Sequence, residues 1–331
     1  MAACPTPKDG FLLSLASGTR LALCAGDEAA ARVLGFLGRA AQLMPAPASL
    51  PPGTRHLLVV TDPGRAARGN LPYTTGADAV CVLASPDAPR HRRAIDLVRA
   101  REGKLAQPCI AEPLPEEQWF WQQLTRLSAA IARETQPYGG VLLHSGLAAY
   151  PDLSGFGNLT GLGGVLLAGR SGVGKSTASR RLPHTWRALA DDVTLVVCNG
   201  RGAYYVHPWP TWSRFFGDEA GDGSDTWNVQ QAVLLHAIVI LEQGPVDRIE
   251  PLGPGHAVAL LSELAQQASR YLVEGMSRDE LAAFHCQRFD NLCALVRAVP
   301  AYLLHVSLDG AFWTEIERVI KTSGVLKTSE V

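Results

Sequence analysis

The sequence predicts an α/β protein with a mixed sheet, preceded by a smaller N-terminal α/β region. Three observations carry this. Short apolar runs of strand length alternate with longer stretches whose apolar residues recur at helical spacing. A glycine-rich segment, Gly169 to Ser176, stands between one such strand and one such helix. Pro137-Tyr138-Gly139-Gly140 then punctuates the chain between a helix and a strand, and sets a boundary of 1–136 against 137–324, with 325–331 as a tail.

The N-terminal elements follow in order. Residues 11–24 alternate weakly and read as strands around the Ser17-Gly18 turn. Residues 27–44 read as a helix with Val33, Leu34, Phe36 and Leu37 on its apolar side, and the Pro-rich stretch from Pro45 to Pro52 ends it. His56–Val60 and Ala79–Leu83 are strands, the first closed by Thr61-Asp62-Pro63-Gly64. Pro115 and two acids open a helix over 115–134, with Phe120, Leu124, Leu127 and Ile131 on its core face and Trp119 and Trp121 read as packing residues. No catalytic constellation is visible in this region.

The second region opens with an apolar segment around His144, a glycine-rich hairpin loop over 151–164, and a buried strand at 164–168. Gly169-Arg170-Ser171-Gly172-Val173-Gly174-Lys175-Ser176 matches the Walker A phosphate loop, and Thr177 follows. The chemistry explains the pattern. Glycines let the backbone curl so that successive N–H groups point at phosphates; the lysine supplies a cation; the serine hydroxyl reaches Mg²⁺. Sixteen residues after Lys175, an apolar run ends in Asp191-Asp192 and reads as a strand tip. Neighbouring residues on a strand face opposite ways. One carboxylate can therefore face a metal while the other takes a proton from an attacking hydroxyl. Downstream, strands are predicted at 202–206, 232–241 and 301–308, and helices at 256–274, 277–298 and 310–321. The Gly/Asp-rich 217–226 is a surface loop, and His236 within its apolar run is a core histidine.

The return to an acidic pair so soon after the loop resembles the HPr kinase/phosphorylase C-terminal domain, which shares a P-loop core with PEP carboxykinase. His144 and Gly146, Gly169–Ser176, and Ala190-Asp191-Asp192 stand in for that family's motifs. Later segments are similar to the SynChlorMet cassette protein ScmC: Val206-His207-Pro208-Trp209-Pro210-Thr211-Trp212, Leu241-Glu242, Ile249-Glu250-Pro251-Leu252 and Phe312-Trp313. The resemblance covers about 138–322 and implies an ATP- and Mg²⁺-dependent kinase. Its acceptor would be a Ser or Thr hydroxyl of a peptide or protein, such as a precursor peptide in natural-product maturation. Catalytic candidates are Lys175, Asp191, Asp192 and His144. The resemblance implies Asp191 as the base, Asp192 with Ser176 as the metal-side pair, and His144 as the partner of the base; the reverse assignment of the two acids stays open. His207 and Arg214 follow as candidate substrate or phosphate contacts. Thr177 replaces the family's Glu, and Gly253-Pro254-Gly255-His256 stands where the phosphorylase loop would be. The residues therefore carry the kinase half of the chemistry. A small-molecule kinase and a non-catalytic ATP-binding scaffold remain open. The resemblance also implies a homo-oligomer.

Composition narrows the classes. The chain has 331 residues, 47% hydrophobic and 18% charged, with a formal net charge of −1. That is globular, with no global drive towards nucleic acid or an anionic membrane. The basic cluster Arg90–Lys104 is interrupted by acids and apolar residues and reads as a solvated helix face. Seven cysteines follow no disulfide or zinc spacing, and His285-Cys286 lacks ligand partners; free thiols in a cytoplasmic protein are expected. Neither a signal core nor an uncharged run of about 18 apolar residues is present.

Overall fold

The computed structural model describes residues 10–61, 79–83, 116–150, 163–210, 228–270, 273 and 276–322. The predicted basic cluster, the loop segments 151–162 and 217–226, Arg214 and the tail lie outside them. Among the described residues the fold is α/β, with two mixed sheets and six α-helices.

The N-terminal sheet has the order β3-β1-β2-β4-β5. Its strands are β1 (Phe11–Ser14), β2 (Arg20–Ala25), β3 (Met44–Pro45), β4 (Arg55–Val60) and β5 (Ala79–Val82). β1 runs antiparallel to β2 and β3, while β2, β4 and β5 are parallel. Helix α1 (Glu28–Ala40) starts where the Asp27 carboxylate accepts from the Ala30 N–H, and the same side chain accepts from the Thr61 N–H after β4. Helix α2 (Glu116–Arg133) leads through a 3₁₀ turn (Gln136–Tyr138) and Gly139, at φ +83°, into the larger sheet.

That sheet contains β6 (Val141–Tyr150), β7 (Gly163–Ala168), β8 (Arg187–Ala190), β9 (Val193–Cys198), β10 (Tyr204–Pro208), β11 (Val233–Gln243), β12 (Arg248–Pro251) and β13 (Ala301–Val306). Its order is β10-β9-β6-β7-β11-β13-β12, with β8 beside β6 and β10 also pairing β11. β7, β11 and β13 are parallel, so their carboxyl ends share one edge. Gly163, predicted in a loop, is the first residue of β7, and a Cβ at Gly164, where the predicted strand starts, would meet the Val233 side chain at 2.6 Å. Helix α3 (Lys175–Arg181) and α6 (Phe312–Thr322) pack on one face; α4 (Pro254–Ala268) and α5 (Arg278–Ala298) pack on the other. Gly253–His256, compared above with a loop, is the start of α4, with Gly253 as its N-cap. No described helix is long and apolar enough to cross a membrane.

The two sheets share a core. One apolar cluster runs from Leu13, Leu23, Leu34 and Leu57 through Leu124 and Trp121 to Leu142, Leu195, Val197 and Trp209. Trp121 packs edge-on to Phe36, as expected for a packing residue. Cys24 and Cys81 are buried and form no disulfide, and burial pushes the Cys81 thiol up to about 12.

His207 corrects the sequence reading. It is no substrate contact: the side chain is fully buried where the sheets meet. Its Nδ1–H donates to the Val229 carbonyl, which leaves Nε2 to accept from the Ala16 N–H at 3.1 Å. Both ring nitrogens are engaged in a way that only neutral imidazole permits. Burial lowers its pKa from 6.5 to about 4. The unfolded chain therefore binds the extra proton first, and stability falls as pH drops from the unfolded value towards the folded one. Protonation should remove on the order of 3 kcal/mol across that window. Thermal melting from pH 7 to 5 should show the decline in the wild type and a flatter profile in His207→Gln; equal slopes would place the proton elsewhere.

Candidate functional site

The site forms where β6, β7 and the β8–β9 segment reach the same level. Ala168, the last residue of β7, pairs with Ser145 of β6. On the other side of β6, Leu147 pairs with Ala190 and His144 with Val193. The register of β9 continues across Asp191-Asp192 to Ala190, so β8 and β9 lie in line, and β8 shifts by one residue only beyond Ala190, where Ala148 pairs with Ala188. The two acids are a break inside a long strand, opposite Ser145 and Gly146, rather than a strand tip. The glycine-rich loop leaves β7 in this row, which brings the two motifs together.

The break has a consequence for direction. Val193 opposes His144 and so shares its face, and regular alternation would turn Asp192 to the other face. Instead the bend carries Asp192 round to His144, whose Nε2 lies 2.7 Å from Oδ1. A carboxylate only accepts, so Nε2 carries the proton in this contact. The other ring nitrogen meets Gln267 Oε1 of α4 at 2.8 Å. His144 thus partners Asp192 and not Asp191, the carboxylate expected to be its partner. The Asp191 Oδ1 atom is enclosed by protein.

Gly146 makes the close approach possible. A Cβ there would stand 3.2 Å from the Ala190 carbonyl, 3.3 Å from Ser179 Oγ and 3.7 Å from Asp191 Cα. Beneath it, Ser145 and Thr194 share a buried hydroxyl–hydroxyl bond of 2.6 Å that ties β6 to β9.

The loop has the backbone its glycines predict. Gly172 and Gly174 take φ of +83° and +102°, a region that disfavours side chains. Gly169 is needed for space: a Cβ would meet Val173 Cγ1 at 2.8 Å and the Leu241 carbonyl at 3.2 Å. Lys175 opens α3 and is 6% exposed. Its ammonium donates to the Gly169 and Arg170 carbonyls at 2.9 and 3.2 Å. Burial lowers its pKa, and the nearby Asp192 charge works against that. Ser176 is half-buried, whereas Arg170, Ser171 and Thr177 face solvent. Arg170 meets Glu263 of α4 at 3.3 Å, an exposed pair of little energetic weight.

A buried ammonium held by neutral carbonyls gains from an arriving anion. The curled backbone, Lys175 and the Ser176 hydroxyl are groups that could hold a phosphate chain, and Asp192, whose charge reaches Lys175, could hold a cation beside it. Among the described residues no group of three or more His, Cys, Asp or Glu could hold a metal ion. His285, the tempting metal partner of Cys286, instead accepts from Arg288 at 2.9 Å.

Two site residues escaped sequence reasoning, Glu263 and Gln267. They stand four apart on α4 and so share a helix face. Two polar residues at that spacing beside an otherwise buried stripe are a weak signal, and only the packing of α4 against β6 gives it direction.

Gly146→Ala should cost about 1–3 kcal/mol by overpacking, read by denaturant unfolding. An unchanged midpoint would mean that the β8–β9 strand yields freely.

A family model described as SynChlorMet cassette protein ScmC matches residues 109–321. No curated protein matches the chain.

Proposed function

The chain belongs to the SynChlorMet cassette protein ScmC family, and on that premise we propose that it is an ATP-dependent kinase with an HPr kinase-like P-loop core. It transfers the γ-phosphoryl group to a Ser or Thr hydroxyl of a peptide or protein, a precursor peptide in natural-product maturation being the favoured acceptor. The observation that carries this reading is the buried Lys175 ammonium at the base of a left-handed glycine loop, with Asp192 beside it.

The chain's own residues divide the work. The loop backbone and Lys175 hold the phosphate chain, so that binding exchanges two carbonyl partners for phosphate oxygens. Ser176 and Asp192 would hold Mg²⁺, which when bound neutralises charge on the phosphates. Two protein ligands suffice because this ion keeps waters and phosphate oxygens in its shell. His144 engages one oxygen of Asp192 and fixes its direction. Asp191 takes the acceptor's proton through its second oxygen. A loose phosphoryl transition state asks for position and charge more than for a strong base.

Incubation with γ-labelled ATP, Mg²⁺ and a Ser/Thr-containing peptide encoded beside the gene tests the reading. Label on a peptide hydroxyl supports it; ATP binding without transfer to any such peptide refutes the peptide-kinase assignment. Lys175→Ala should lower transfer by about 100-fold or more while the melting temperature holds. Unfolding of that variant would make the lysine a structural residue. Asp191→Asn should cut turnover by about 100-fold with little change in ATP affinity, and equal losses in both would move Asp191 to the metal side.

A further inference from the structure

The acids lie on the β6 side of β7; the β11–β13 side of the same edge carries a second polar pair. Ala168 stands level with Ile240 of β11, and Ile240 with Leu303 of β13. Two residues further on, Glu242 and His305 are paired in register across these parallel strands. Each lies about 7 Å beyond the level at which the loop begins, and β13 is about 10 Å to the side of β7. Glu242 Oε2 meets His305 Nδ1 at 3.4 Å, with the carboxylate largely open to solvent.

The histidine is seated rather than loose. Gly244 closes the strand end by donating its N–H to the Val306 carbonyl at 3.1 Å. A Cβ at 244 would stand 2.9 Å from His305 Cβ and 3.5 Å from its ring. The missing side chain gives His305 its space, and the ring in turn engages one oxygen of Glu242. The other oxygen remains available at the carboxyl edge of a parallel sheet, where ligands of α/β proteins gather.

We propose that Glu242, held by His305, is a ribose-binding residue that accepts hydrogen bonds from the 2′- and 3′-hydroxyls of a bound nucleoside triphosphate. The proposal rests on the phosphate-loop reading above. The γ-phosphate must face Asp191 and Asp192 on the β6 side. A triphosphate laid in the loop then directs its nucleoside to the β11–β13 side, where a carboxylate is the acceptor that a vicinal diol requires.

Calorimetric titration with ATP, 2′,3′-dideoxy-ATP and inorganic tripolyphosphate, each with Mg²⁺, tests it on the full chain. The wild type should bind ATP about tenfold tighter than the dideoxy analogue, the expected worth of hydrogen bonds to a charged group. Glu242→Ala should bind the two alike and keep wild-type affinity for tripolyphosphate. His305→Asn should narrow the preference and leave tripolyphosphate unaffected. Equal binding of ATP and the dideoxy analogue by the wild type overturns the ribose site and leaves the phosphate loop standing. Loss of tripolyphosphate binding in Glu242→Ala also overturns it, by making the residue a support of the loop. If the wild type binds neither ATP nor tripolyphosphate, the phosphate-loop reading itself fails and this proposal with it.

Discussion

A lysine ammonium buried under its own loop is the constraint on which the site depends. Lys175 is satisfied by two carbonyls that carry no charge, and Asp192 is the anion that acts on it. Such a cation is costly to bury and gains from any anion that reaches it. The left-handed Gly172 and Gly174, the tight Gly169 and the early start of α3 all keep the loop closed around that charge. Asp192 cannot relax towards Lys175 alone, because His144 holds one of its oxygens.

β6 is the axis that makes this geometry hold. In three consecutive residues it supplies the imidazole that orients Asp192, the buried hydroxyl that fastens β9, and the glycine that admits the Asp191 backbone. The N-terminal sheet braces the same strands from behind. Leu142, Leu195 and Val197 sit in its core cluster, and His207 joins the Ala16 N–H to the Val229 carbonyl. Disturbance of that seam therefore reaches the site through β9 and β10 rather than through any ligand contact.

Most of the elements were legible in the sequence because their signals are local. The loop is a set of backbone demands met by glycine at fixed positions, and the strands and helices follow from apolar periodicity. Signals that depend on packing were not legible. The Asp pair reads as a strand tip because an apolar run ends there; only the pairing of Ala190 and Val193 with the same strand β6, in one register across the acids, shows that the strand continues. His207 reads as a candidate contact because it lies in the Pro- and Trp-rich segment that carries the family resemblance, and its burial arises from a sheet formed almost two hundred residues earlier in the chain. Gln267 gives only a weak local hint of a role, since its histidine partner is 123 positions away.

Direct observation of the Lys175 ammonium tests the central claim. The chain has five lysines, few enough for side-chain NMR on lysine-labelled protein, with Lys175→Arg to assign the signal. Lys175 should titrate below its usual range in the free protein and move upward when ATP and Mg²⁺ are added. A Lys175 signal that titrates identically with and without nucleotide, while ATP is bound, would contradict it.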